Sequence, residues 1–287
     1  MRITNFPVDK LLVILIFCCG IAHGATFRGA RIVTGVGASD IERRVAALLA
    51  ERITEPSGIA ARVIRETEIG APTPGDLTIL LGVPQHHPKL RAQMEEKRIR
   101  PLTALAPGAE GFLLQSVTEG KQFVLLAAGI DSHGVLYAAG EILRRMVIRE
   151  KSFEFPEQLT VRTAPAFEVR GTQFGQSSIA LTRAKARPWT EQELRRKVLD
   201  FALAGLNTVQ VGEGRPGEDP LYRIAQEFGL KTLIHYGVNV GEGPPEWAAS
   251  ESIGRQGYLC PSVPPARQAL LDRCETRFRD RPFVDYV

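Results

Sequence analysis

From residue 165 onward, segments with strand character and segments with helix character alternate strictly along the chain. The strand candidates are four short, mostly apolar runs at residues 167–171, 208–211, 231–236 and 283–287. Amphipathic helical patterns separate them, at residues 190–205, 219–229 and 264–278. Helical crossovers join strands that run parallel to one another. The alternation therefore predicts an incomplete TIM (β/α)₈ barrel of about four strands.

A doubly wound parallel sheet is the alternative arrangement for the same alternation. A nucleotide-binding sheet of that kind carries a GxGxxG turn after its first strand. Residues 171–175 read GTQFG and lack this spacing. The barrel is therefore the preferred fold, and a nucleotide-dependent oxidoreductase is disfavoured.

Residues 25–164 follow a different order of elements, βαββαββα. Ser39 and Glu42 form a capping box before an apolar helical face. Residues 118–121 make the turn of a β-hairpin, and Asp131 caps the helix that closes this part. The order predicts a small α/β sandwich domain with its helices on one side of the sheet. The fold class of the whole chain is then α/β and α+β.

The change of pattern near Ala164-Pro165 predicts the boundary between this domain and the barrel segment, residues 165–287. The last predicted strand reaches Val287, where the sequence stops. A chain seldom stops inside a buried strand, so we expect the sequence to be the first part of a longer protein.

The first 24 residues have the three-part pattern of a secretory signal peptide. Arg2 and Lys10 give a basic start, residues 11–22 are mostly apolar, and Ala22 and Gly24 are the small residues of a cleavage site after Gly24. An uncleaved membrane anchor is the alternative, but the apolar run is short for a permanent span. We therefore expect a secreted or periplasmic protein with no stable membrane insertion after signal cleavage.

The formal net charge of +4 and the pI near 9.0 are mildly basic. Lys and Arg are scattered among Asp and Glu, whereas nucleic-acid binding usually needs a concentrated basic stripe. No nucleic-acid partner is therefore expected.

No cofactor or metal site is predicted either. The chain lacks a CxxC motif, and the adjacent His86 and His87 are expected to point apart. Removal of the signal leaves Cys260 and Cys274, which are either buried thiols or a disulfide formed after export.

Three segments resemble glycoside hydrolases. Gly134–Arg145, GVLYAAGEILRR, resembles the helix that closes the small α/β domain before the barrel in β-N-acetylhexosaminidases and microbial α-glucuronidases. Pro165–Gly171, PAFEVRG, and Leu203–Val209, LAGLNTV, are similar to the segments that lead into their first two barrel strands. The resemblance covers about residues 26–287. It implies a hydrolase of this type, with carbohydrate as its substrate.

The sequence also departs from these families. Hexosaminidases usually follow the Arg-Gly of the first strand with an Asp and a second, sugar-binding Arg, but here Thr172 to Gln176 follow. In both families the catalytic carboxylates lie at or beyond the end of the fourth strand. The resemblance therefore implies that no catalytic residue is present before Val287.

Five residues are candidates for substrate binding because they lie at or just beyond the predicted C-terminal ends of the barrel strands, where barrel sites form. An arginine there can bind a hydroxyl pair or a uronate carboxylate in a bidentate way. Amide, carboxylate, imidazole and phenol groups can bind sugar hydroxyls. The candidates are Arg170, Gln173, Glu213, His235 and Tyr236.

Two hypotheses about function follow. The first is the N-terminal portion of an exported glycoside hydrolase. The second is a non-catalytic carbohydrate-binding or scaffold protein that uses the same α/β domain. Two carboxylates flanking a sugar at the barrel mouth would distinguish the first from the second.

Overall fold

The structure is a computed structural model. It describes residues 24–71, 73–119, 122–172, 189–211, 220–234, 237, 239, 243–249, 258–279 and 284–286. These residues form three β-sheets with helices packed against them.

The first part of the chain forms a layered α/β structure. Its strands are β1 (Gly24–Phe27), β2 (Gly29–Thr34), β3 (Ala61–Arg65), β4 (Asp76–Gly82), β5 (Phe112–Glu119), β6 (Gln122–Gly129), β7 (Val147–Arg149), β8 (Ser152–Pro156) and β9 (Thr160–Thr163). Its helices are α1 (Asp40–Ser57), α2 (Pro88–Glu96) and α3 (Ser132–Arg145).

The main sheet has six strands in the order β3-β2-β4-β6-β5-β9. The first four of these strands are parallel, and β5 runs antiparallel to both β6 and β9. Strands β1, β8 and β7 form a separate antiparallel sheet. Its Phe153 stacks on Phe27, with ring centroids 5.4 Å apart.

The expectation that all helices lie on one side of the sheet is wrong. Helices α1 and α3 cover one face, whereas Leu90 and Met94 of α2 pack with Val33 and Leu80 on the other. The reason lies in β4, where every residue after Asp76 is buried, so the strand needs an apolar cover on both faces.

The second part of the chain alternates strands and helices as predicted. Its elements are β10 (Gly171–Thr172), α4 (Glu191–Leu203), β11 (Thr208–Gln210), α5 (Pro220–Phe228), β12 (Lys231–Leu233) and α6 (Pro264–Arg279). The three strands are parallel and lie in chain order. Tyr286 forms a parallel bridge with Leu233, at the position expected for a fourth strand. The sheet is the partial, unclosed barrel that the sequence predicts.

The predicted strand over residues 167–171 is wrong in its position. The strand itself is β10, and Phe167 and Val169 before it are 74% and 45% exposed. Asn207 explains the difference, because its side chain bonds to the Glu168 carbonyl at 2.7 Å and to the Arg170 N–H at 2.9 Å. These backbone groups are therefore paired with a side chain instead of a neighbouring strand.

One apolar core runs from the α/β part into the barrel segment. It contains Leu49 of α1 and Ile142 of α3 together with Leu199 of α4 and Phe228 of α5. Gly140 makes the approach of α3 to α4 possible, since a Cβ at this position would lie 1.8 Å from the Leu203 carbonyl oxygen. The boundary near Ala164-Pro165 stays a prediction, but separation there would expose part of this shared core.

The predicted signal peptide, residues 1–24, lies outside the described residues except for Gly24. Among the described residues, no helix combines the length and apolar character needed to cross a membrane. Cys260 and Cys274 are free and half-buried in the structure, which is nearer to the thiol alternative than to the disulfide.

Glu42 connects the start of α1 to the end of β4. Its carboxylate is almost fully buried and accepts hydrogen bonds from the backbone N–H groups of Ser39 and Val83, at 3.1 and 3.0 Å. It also lies 2.7 Å from Nδ1 of His86. Burial by itself raises the pKa of Glu42, but the bonds from Val83, His86 and Ser39 outweigh it and hold this pKa below 4.5.

We predict that Glu42→Gln destabilises the protein in a pH-dependent way. A carboxylate with a lowered pKa stabilises the fold above its ordinary value of 4.5, and this contribution is lost as the pH falls through the folded-state value. The variant should lose about 2 kcal/mol near neutral pH, and the difference from wild type should shrink below pH 4.5. Denaturant unfolding at several pH values measures this.

Glu51→Gln is the control, because Glu51 lies on the same helix with its side chain about half exposed. Its effect should be small at every pH. A difference between Glu42→Gln and wild type that stays constant or grows below pH 4.5 would contradict the assignment.

Candidate functional site

The C-terminal ends of β10, β11 and β12 form the edge at which barrel enzymes place their sites. Val209 and Val211 belong to the apolar core beneath the helices. Because side chains alternate along a strand, Thr208 and Gln210 lie on the opposite, barrel-interior face. Gln210 is the last residue of β11 and therefore lies at the site edge.

Gln210 has an unmet hydrogen-bonding group. Gln210 is 8% exposed, and its Oε1 atom has no hydrogen-bond partner among the described residues. A buried amide oxygen without a hydrogen-bond donor is unfavourable in free energy. A donor group of a ligand would therefore stabilise it. Gln210 is thus a candidate substrate contact that the sequence analysis missed. The alternation in Thr208–Val211, polar then apolar, was the signal that could have revealed it.

Four predicted site residues follow the ends of the barrel strands in sequence. Gln173 comes directly after β10, Glu213 follows β11, and His235 with Tyr236 follows β12. All four lie outside the described residues, so their binding roles stay predictions.

Arg170 is described, and its predicted position is wrong. It directly precedes β10 and therefore lies at the N-terminal end of the strand, away from the edge where barrel sites form. Its Nε donates to the Gly205 carbonyl at 2.6 Å, and Nη1 donates to the carbonyl of Phe167. The guanidinium is thus directed into the protein and not toward the predicted substrate pocket.

The remaining guanidinium nitrogen of Arg170, Nη2, contacts the α/β part of the chain. Nη2 forms an ion pair with Glu110 and donates to the Tyr137 hydroxyl at 2.8 Å, and the guanidinium lies 5.3 Å from the centre of the Tyr137 ring. Burial is the largest cause that raises the pKa of Tyr137, and the neighbouring Glu110 carboxylate raises it further. Tyr137 is therefore a neutral hydrogen-bonding partner.

The start of each barrel strand contacts the same small region of the α/β part. Asn207, directly before β11, donates to Glu110 at 3.2 Å. Gly229, shortly before β12, has its carbonyl 2.8 Å from Nε2 of His133, and the other ring nitrogen of His133 lies 3.6 Å from Glu110. Glu110 thus interacts with groups from two strand starts and from α3. Arg170 and Asn207 are parts of a structural link between the two halves of the chain.

The two tryptophans differ in their surroundings. Trp189 is 40% exposed and borders a shallow surface depression of about 250 Å³ on α4. Charged residues of this depression are paired, since Arg196 lies 3.1 Å from Glu55 and Asp200 lies 3.0 Å from Arg52. Trp247 packs on a small separate cluster that includes Leu259.

A metal centre is not evident among the described residues, which contain no group of three or more potential ligands. His86 and His87 have different hydrogen-bond partners. His86 lies against Glu42, whereas His87 is fully buried with Nδ1 2.9 Å from Glu66 and Nε2 3.1 Å from the Val33 carbonyl. Their contacts connect α1, β2 and α2.

The sequence matches no protein-family model, and a search of curated proteins gives no match. Comparison of structures does find relatives. A family GH115 4-O-methyl-α-glucuronidase with specificity for decorated arabinogalactans is similar at a TM-score of 0.51 and 17% identity, over 88% of this chain and 34% of that enzyme. A mutant Streptomyces plicatus β-hexosaminidase in complex with GlcNAc is similar at a TM-score of 0.53 and 13% identity, over 91% of this chain and 55% of that enzyme.

The fold is therefore similar to that of these two glycoside hydrolases, with an α/β part followed by a partial barrel, as the sequence resemblance implies. This chain spans about a third of the glucuronidase and just over half of the hexosaminidase. At these identities the similarity concerns the fold.

We predict that Arg170 and Glu110 stabilise the fold as a coupled pair. Both side chains are mostly buried, at 16% and 18% exposed, so each is left without its main partner when the other is changed. Arg170→Gln and Glu110→Gln should each cost about 2 kcal/mol, and a double-mutant cycle should give a coupling of about 1 kcal/mol or more. Urea unfolding of the four proteins measures both quantities.

Arg223→Gln is the matched control, because the ion pair of Arg223 with Glu191 is more than half exposed on both sides. Its cost should be below about 0.5 kcal/mol. Strictly additive effects of the Arg170 and Glu110 substitutions would show that the pair is not coupled.

Proposed function

We propose that the chain is the N-terminal portion of an exported glycoside hydrolase of the hexosaminidase or glucuronidase type, acting on carbohydrate. Its catalytic carboxylates lie beyond Val287 in this proposal. The observation that carries it is the order of the architecture, an α/β domain followed directly by parallel barrel strands in chain order. Of the two similar structures, the glucuronidase has specificity for decorated arabinogalactans and the hexosaminidase is in complex with its product GlcNAc.

The position of Gln210 on the interior face of the partial barrel supports the proposal that this part of the chain binds substrate. Gln210 brings to the C-terminal end of β11 a buried amide oxygen that has no partner in the part of the chain that the structure describes. Sugar hydroxyls are donors that would satisfy it. Gln173, Glu213, His235 and Tyr236, which follow the barrel strands in sequence, are proposed to bind the same substrate.

The alternative is a non-catalytic carbohydrate-binding or scaffold protein with the same α/β domain. Glycoside hydrolysis requires an acid and a second carboxylate on either side of the scissile bond. The alternative would apply if the protein encoded by the complete reading frame bound sugar without cleaving it.

An activity comparison tests the proposal. The 287-residue chain should not hydrolyse aryl N-acetylhexosaminides or release uronic acid from a decorated arabinogalactan, whereas the protein from the complete reading frame should cleave one of them. In that protein Gln210→Ala should lower kcat/KM about tenfold, because a substrate hydrogen bond is lost. Gln226→Ala, on the exposed face of α5, is the matched control and should not change it.

Hydrolysis by the 287-residue chain itself would show that catalytic residues lie within this chain, which contradicts the proposal. Absence of hydrolysis by the complete protein, with sugar binding retained, would replace the proposal by the non-catalytic alternative.

Export is the second part of the proposal. Strand β1 begins at Gly24 and pairs with β8, so a chain starting at Ala25 after cleavage keeps most of this strand. Mass spectrometry of the secreted or periplasmic protein should find Ala25 as its first residue. Ala22→Phe places a large side chain at the cleavage site and should leave the precursor uncleaved. An intact Met1 on the mature wild-type protein would contradict export by this route.

A further inference from the structure

The α/β part of the chain contains a cavity that is separate from the barrel edge. It has a volume of about 160 Å³ and lies beyond the ends of β4 and β6, next to α2 and the segment at residues 99–102. The crevice outside the carboxyl ends of parallel strands is the usual place for ligands in α/β sheets. Residues Pro84 and Gln85 after β4 and residues Gly129 and Ile130 at the end of β6 contribute to its wall.

We infer that this cavity binds a small aromatic carboxylate with a single ring. Its interior is apolar, with Met94 and Leu102 nearly fully buried and Ile130 beside them. An apolar protein cavity of about 150 Å³ accommodates benzene, so the size fits one six-membered ring.

Charge at the mouth of the cavity selects the carboxylate. Arg91 lines the cavity from α2. Among the described residues, no ion pair or hydrogen bond involves its guanidinium, so its fork of donors is available to a ligand. A guanidinium binds a carboxylate through two parallel hydrogen bonds, which fixes the orientation of the ring behind it.

Glu95 lines the same cavity one helical turn after Arg91. Its carboxylate can accept a hydrogen bond from a ring hydroxyl, which favours a hydroxybenzoate over the unsubstituted acid. A sugar fits poorly, because the lining contains no aromatic side chain to stack on it and few groups to bind its many hydroxyls. The site is therefore distinct from the carbohydrate site proposed at the barrel edge and does not depend on it.

Ligand-observed ¹⁹F NMR with 4-fluorobenzoate tests the inference on the 287-residue chain, with unlabelled 4-hydroxybenzoate as the competitor. We expect saturable binding of 4-fluorobenzoate that 4-hydroxybenzoate displaces. Arg91→Gln should weaken this binding about tenfold, because a charge-assisted bond is lost. Arg28→Gln is the matched control, since Arg28 is an exposed arginine before β2, and it should leave binding unchanged.

A second variant addresses the cavity itself. Ile99→Trp places a large side chain at the cavity wall and should abolish binding while thermal unfolding remains cooperative. Lack of saturable binding to the wild type, or equal affinities for wild type and Arg91→Gln, would overturn the inference. Binding that survives in a folded Ile99→Trp variant would also overturn it. If Ile99→Trp does not fold, the comparison of Arg91→Gln with Arg28→Gln decides alone.

Discussion

Helix α3 is the element on which both halves of the structure depend, because it is buried on two sides. Every residue from Gly134 to Gly140 is buried. One side of the helix packs on the main sheet, and the other meets α4 so closely that Gly140 leaves no space for a side chain. Interiors packed at this density tolerate little change in volume. The position of the barrel segment on the α/β part is therefore determined by contact of backbone with backbone.

The polar contacts of Glu110 favour one orientation of the barrel segment on the α/β part, which the apolar contact alone does not select. Apolar burial is proportional to area and does not by itself select one orientation. Glu110 interacts with Arg170 before β10, with Asn207 before β11 and with His133, which itself contacts the carbonyl of Gly229 before β12. A mostly buried carboxylate needs these partners, since an unpaired charge there would be costly. The three strand starts are thus positioned against one point of the α/β part.

Much of this fold can be predicted from local pattern, because helix spacing and capping residues act within a few positions of one another. The alternation after residue 165 and the capping box at Ser39 are cases of this kind. What the pattern misses depends on contacts distant in sequence. Asn207 binds the backbone before β10 and so displaces the start of that strand, which places Arg170 at the end opposite to the one expected. Gln210 shows its unpaired oxygen only once its surroundings are known.

The two ends of the barrel strands differ in how their described polar side chains are paired. At the N-terminal ends, Arg170 and Asn207 use their hydrogen-bonding groups within the protein and leave little for a ligand. At the C-terminal end of β11, the Oε1 atom of Gln210 has no hydrogen-bond partner within the described ranges. Among the described residues, the contacts of the barrel strands with the α/β part concentrate at these N-terminal ends. Barrels in general place stability at the N-terminal ends of their strands and sites at the C-terminal ends. In this chain, the contacts of Glu110 and His133 with the strand starts lie at the N-terminal ends.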